Sequence, residues 1–129
     1  MKTLSHVLRF ILGLFLLLPV AGTLGFAPEP DASMYTEQAW NFMSALMETG
    51  YMMPMIGLLA FVCAVLFFLN RTALAAALLA PFTVNVITFH WFLDAAPISA
   101  SSVPAYILLL LKAYFLWENR QKYATLWKK

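Results

Sequence analysis

From Tyr51 to Leu69, and again from Thr72 to Leu93, the chain carries no acidic, lysine or arginine side chain. A helix needs about 20 mainly apolar residues to cross a bilayer. Two such runs separated by Asn70 and Arg71 alone predict two membrane helices folded back as an antiparallel hairpin. Two more runs are long enough to join them. Residues 7–26 are interrupted by Arg9, and the shorter stretch 102–117 holds Lys112. With 63% apolar and 11% charged residues, the 129-residue chain lacks the polar side chains to clothe a soluble domain. The composition excludes a compact soluble enzyme and a disordered protein. The expected fold is all-α: residues 1–129 form one polytopic membrane domain, a four-helix bundle with spans at about 7–26, 51–69, 72–93 and 102–117.

Basic residues set the expected orientation, because cytoplasmic loops carry the excess of Lys and Arg. Lys2 and Arg9 flank the start of the first span, Arg71 sits in the turn between the second and third, and Arg120, Lys122, Lys128 and Lys129 follow the fourth. Loops 27–50 and 94–101 contain no Lys or Arg and hold Glu29, Asp31, Glu37, Glu48 and Asp94. Both termini are therefore expected to be cytoplasmic. Lys2 and Arg9 ahead of an apolar core and the small residues Ala21 and Gly22 also fit a signal peptide, whose removal would leave three spans in the same orientation. A net charge of +2 with no basic patch argues against a nucleic-acid partner. One cysteine, Cys63, excludes a disulfide within the chain, and its apolar mid-span setting predicts an inert thiol.

Between the first two spans, Pro28 and Pro30 open an extended stretch. From Thr36 the pattern becomes helical, with Trp40, Met43, Met47 and Gly50 recurring at three- and four-residue steps and Glu37, Gln38, Asn41, Ser44 and Glu48 mostly opposite. Thr36 supplies an N-cap, Glu37 suits the first-turn dipole, and Gly50 ends the segment. This predicts a short amphipathic helix over about 37–49, on the outer membrane surface or tucked over the bundle. Six of the seven methionines crowd into residues 34–55. Thioethers suit Cu(I), but methionine also fills irregular helix contacts, and no His or Cys accompanies the cluster. No metal site is assigned.

Polar residues inside the spans are the candidates for function. Pro81 withholds an amide from the Ala77 carbonyl. Asn85 and Thr88 continue that face, whereas Thr83, His90 and Asp94 make a second stripe. An amide in hydrocarbon needs a partner, so Asn85 is expected to face another helix or a ligand. His90 and Asp94, four residues apart beside Trp91 and Phe92, are placed at the outer boundary, where they are either solvated or handle a proton, metal or headgroup. Gly57, Ala60 and Ala64, with Pro81, are read as helix-packing positions. Lys112 is expected to snorkel to the cytoplasmic boundary, and Trp117 to anchor there.

From the amphipathic segment onward the chain resembles the DoxX-like family of small four-helix bacterial membrane proteins. The resemblance rests on Phe42-Met43, Thr49-Gly50-Tyr51 with Pro54, Asn70-Arg71, Ala80-Pro81 with Asn85, and Phe89-His90 with Phe92-Leu93-Asp94. It covers about residues 37–117, with Arg9, Leu12 and Gly13 a weaker match in the first span. It implies a bacterial inner-membrane protein, sometimes found beside quinone-linked or thiol-linked oxidoreductases, with a quinone as the implied cofactor. Relatives often carry a Lys-x-x-Glu pair in span 2, where this chain has Gly57 and Ala60.

Three functional readings follow. The first is a non-catalytic subunit or scaffold in the lipid bilayer, packed against a protein partner or further copies of itself. The second is a quinone- or lipid-interacting component of a membrane oxidoreductase complex, with Asn85, His90 and Asp94 near the ligand. The third is an oligomeric small-solute or metal transporter, which needs symmetry-related copies because the chain has no internal repeat. No nucleophile–base pair or phosphate loop marks an enzyme acting alone.

Overall fold

In the computed structural model, which describes residues 2–94 and 102–127, every regular element is helical. The helices are α1 (Lys2–Phe15), α2 (Leu17–Thr23), α3 (Glu37–Glu48), α4 (Met52–Phe68), α5 (Thr72–Phe92), α6 (Val103–Glu118) and α7 (Arg120–Ala124), with 3-10 turns at Ala32–Met34 and Thr125–Trp127. The first apolar run breaks at Leu16. Pro19 explains the break, since it has no amide to give the Phe15 carbonyl. Together α1 and α2 still supply a 21-residue apolar stretch, Thr3–Thr23.

Among the described residues, two helical stretches are long and apolar enough to cross a membrane, Thr3–Thr23 and Thr72–Phe92. A third qualifies if α3 and α4 count as one broken span, bent by 88° at residues 49–51. These features mark a membrane protein. Of the four spans expected, the described residues supply two, or three with the broken pair counted as one. At 1.5 Å per residue, the 17 residues of α4 reach ~26 Å and the 16 of α6 ~24 Å, against a hydrocarbon layer of about 30 Å.

The α4–α5 hairpin forms around Asn70, whose φ of 61° places it in the left-handed region that asparagine tolerates. The Arg71 amide reaches back to the Leu66 carbonyl to close the turn. Helix α4 is the hub, packing against α1, α2 and α5, while α6 packs mainly on α5. Leu12, Leu16, Cys63, Ala64, Phe67, Ala75, Ala76, Leu79, Leu108 and Phe115 form one buried core. The Phe67 and Phe115 rings meet there at 5.2 Å between centroids.

Small residues permit the close approaches. A Cβ on Gly13 would fall 2.5 Å from the Phe68 ring, and one on Gly57 would fall 2.5 Å from Thr23 Oγ1. Gly57 therefore seats α2 on α4, while Ala60 and Ala64 are buried on the same helix. Pro81, expected at a packing position, is instead exposed. Leu79 and Thr83 take the inward face of α5, which leaves the proline ring on the outward face.

Candidate functional site

The polar residues of α5 separate into three settings. Thr83 is fully buried, and its hydroxyl donates to the Leu79 carbonyl at 2.9 Å. That bond within α5 accounts for its polarity, so Thr83 does not extend the His90 stripe. Thr88 is exposed and donates to the carbonyls of Val84 and Asn85, at 3.0 and 2.9 Å. Asn85 is also exposed. It is not packed between helices but opens onto a groove beside α3, which corrects the expectation of a buried interhelical contact.

At the C-terminal end of α5 the elements converge. His90 Nδ1 lies 2.9 Å from Asp94 Oδ2, with side-chain exposures of 13% and 11%. The four-residue spacing thus produces a contact that is largely shielded, not a pair of solvated groups at a helix end. Trp91 Nε1 donates to the Tyr106 hydroxyl at 2.8 Å, joining α5 to α6.

Helix α3 covers this end from the other side. Thr36 plays two parts: its Oγ1 accepts from the Ala39 amide, capping α3, and donates to the Leu93 carbonyl. Tyr35 and Phe42 both meet Phe89, at centroid distances of 6.4 and 5.7 Å. The Phe89 and His90 rings lie edge to face at 5.3 Å. Between α3 and α5 runs a groove of about 240 Å³, lined by Phe42, Asn85, Thr88, Phe89, Phe92 and Leu93. It presents three aromatic rings, one amide and one hydroxyl. A larger cavity of about 560 Å³ lies beside the loop after α2, with Thr23, Glu29, Met47, Met53 and Pro54 among its lining residues.

The opposite end, where α1 starts and α6 stops, holds a separate polar network. Asn119 Nδ2 donates to Thr72 Oγ1 at 3.1 Å and to the Phe115 carbonyl at 2.9 Å, while its Oδ1 accepts from Lys122 Nζ at 2.8 Å. The Tyr123 hydroxyl donates to the Ala73 carbonyl at 2.6 Å, and partial burial raises its pKa above the ordinary tyrosine value. Trp117 is exposed, with the Arg120 guanidinium 4.4 Å above its ring, as suits a boundary anchor. Lys112 departs from expectation. It is 4% exposed and donates to the Ala80 carbonyl at 3.2 Å, so it tethers α6 to α5 rather than snorkelling outward.

The sequence patterns missed the contributions of Tyr35, Phe42 and Tyr106, since all three depend on which helices become neighbours. The double use of Thr36 was half legible, as a cap. Among the described residues, no group of three or more His, Cys, Asp or Glu is placed to hold a metal ion. No protein-family model, curated protein or solved structure matches the chain.

Proposed function

We propose that the chain is a DoxX-like protein of the bacterial inner membrane. In this reading it has four spans with both termini cytoplasmic and acts as a non-catalytic subunit that docks on a partner through the outward face of α5. The observation that carries this reading is the exposure of Asn85, the fourteenth of the 21 residues of α5. A carboxamide has two N–H donors and a carbonyl acceptor. In hydrocarbon those groups have no water to bond, and a neighbouring protein surface is the usual remedy. The adjoining groove adds the apolar side chains of Phe42, Phe89, Phe92 and Leu93. The distribution of Lys and Arg supports the orientation.

A second reading keeps the same groove and fills it with a quinone-type ring. Phe42, Phe89 and Phe92 favour it, and the Asn85 amide could donate to a ring carbonyl.

One experiment separates the two. The full chain and its Asn85→Leu variant are extracted in mild detergent, and co-purifying proteins and the absorption spectrum are compared. The subunit reading expects a protein partner, or a second copy, to be retained by wild type and depleted from the variant, with the melting temperature of the isolated chain unchanged. Equal retention by both proteins refutes it. Loss of a quinone-like absorbance with no change in protein composition selects the second reading. A reporter fused after Lys129 is expected to be cytoplasmic, and one inserted near Pro30 external.

A further inference from the structure

The start of α5 and the end of α6 are tied together by the buried amide of Asn119, which donates to Thr72 Oγ1 and accepts from Lys122 Nζ. Tyr123 adds a second tie through its hydroxyl to the Ala73 carbonyl. These bonds fold α7 against the start of α5 and bring three cations to one end of the bundle. They are Arg71, next to Thr72 in the chain, Arg120, next to Asn119, and Lys122. All three are exposed.

Among the described residues no acid pairs with any of them; the single ion pair there joins His90 to Asp94 at the far end of α5. Glu118, the one acid after residue 94, gives its oxygens to Ser5 and Tyr114. Arg120 donates to the Trp117 carbonyl at 2.9 Å and Lys122 to Asn119, which leaves most of their N–H donors open to an outside acceptor. Large apolar side chains stand beside these charges. Leu69 at the end of α4, Trp117 at the end of α6 and Leu126 after α7 are 57–79% exposed. Cations interleaved with exposed apolar and aromatic groups suit a membrane boundary, where the apolar groups enter the acyl region and the charges meet headgroups.

We propose that this end of the bundle binds the phosphate headgroups of anionic glycerophospholipids through Arg71, Arg120 and Lys122. Guanidinium forks and an ammonium match phosphate oxygens, and each basic side chain at an anionic leaflet strengthens binding about fivefold. Asn119 is the positioning residue, since it holds α7 beside the α4–α5 turn and so gathers cations from two separate segments onto one headgroup layer. The inference rests on the membrane reading, but it is independent of the α5 groove and of which leaflet this end faces.

The test uses the purified full chain in maltoside micelles, titrated with dioleoylphosphatidylglycerol or dioleoylphosphatidylcholine, with bound lipids counted by native mass spectrometry. The phosphatidylglycerol is expected to be retained at concentrations where the phosphatidylcholine is not. Arg71→Gln breaks none of the bonds that hold α7. It is expected to raise the half-saturating phosphatidylglycerol concentration about fivefold, and the triple variant with Arg120→Gln and Lys122→Gln about 100-fold. If the triple variant does not fold, Arg71→Lys, which keeps the charge, is expected to recover most of the affinity lost in Arg71→Gln.

Equal half-saturation by the two lipids would overturn the headgroup contact. Displacement of the phosphatidylglycerol by an equal concentration of inorganic phosphate would overturn the lipid as its source. Displacement by polyglutamate at equal charge would overturn the membrane as occupant in favour of an acidic protein. Unchanged affinity in Arg71→Gln and in the folded triple variant would overturn the role of these cations, as would an Arg71→Lys protein no better than Arg71→Gln. Alkaline extraction of wild type from phosphatidylcholine vesicles separates the two levels of failure. A chain that stays in the vesicles yet shows no lipid preference refutes this proposal alone, whereas one that is extracted refutes the membrane reading beneath it.

Discussion

Replacing Gly57 by alanine tests the α2–α4 contact with one added methyl group. Its Cβ would lie 2.5 Å from Thr23 Oγ1, 2.7 Å from Thr23 Cγ2 and 3.0 Å from Thr23 Cβ. Ordinary contact begins at 3.4 Å, so the two helices must separate by about 1 Å or Thr23 must turn away. Turning is hindered, because Thr23 is branched at Cβ and its hydroxyl donates to the Val20 carbonyl at 2.8 Å. Overpacking of this kind costs about 1–3 kcal/mol, against a gain of about 1 kcal/mol from replacing glycine inside a helix. The net expectation is a loss of ~1 kcal/mol, read as a lower midpoint of unfolding in detergent. Thr23→Ala should recover much of it in the double variant, because the two closest atoms are gone. Gly22→Ala is the control: nothing lies within 4 Å of its added Cβ, so only the propensity gain applies. A Gly57→Ala protein as stable as the Gly22→Ala control, or a double variant no better than the single one, would refute the reasoning.

Lys112→Met should leave stability unchanged or raise it by about 1–4 kcal/mol, because a buried ammonium held by one carbonyl recovers little of its desolvation cost; a melting temperature lowered by several degrees would contradict this. His90→Ala strips a shielded carboxylate of a hydrogen bond and should cost about 1.5–3 kcal/mol, whereas Asp94→Asn keeps an acceptor for the imidazole and should cost less. Denaturant unfolding of both variants checks the order, which equal losses would contradict.

Much of the architecture was legible wherever local chemistry decides it. Thr36 caps α3, Glu37 occupies its first turn, and Gly50, at φ 72°, follows its end. Asn70 and Arg71 make the tight turn that their position between two apolar runs demands. Pro19 carried a signal for the break at Leu16 that the uninterrupted hydropathy of the first run concealed. The candidate site was less legible. Spacing on α5 places His90 beside Asp94, since a four-residue step is a property of one helix. Which side of α5 faces inward depends on where α4 and α6 settle, and the nearly all-round apolar pattern of a membrane helix does not encode that. Asn85 was therefore expected against a neighbouring helix, yet it is Thr83, two residues earlier, that is buried. Lys112 misled for a similar reason: a long side chain near a helix end reaches water or an inner carbonyl equally well, and the α5–α6 contact decides between them.

The bend of 88° between α3 and α4 has a mechanical consequence. The hairpin of α4 and α5 is joined at one end by the Asn70 turn, and at the other α3 bridges it, rooted in α4 by the bend and fastened to α5 through Thr36 and Phe42. Three members connected at three corners form a braced triangle, whose angles cannot change unless a corner yields. The footing of α3 thereby bears on the width of the Asn85 groove, because Phe42 forms one of its walls. Loosening the Thr36 corner would leave α3 held to α5 by the Tyr35 and Phe42 ring contacts alone, so a hydroxyl some fifty residues from Asn85 in sequence helps to fix one wall of that groove.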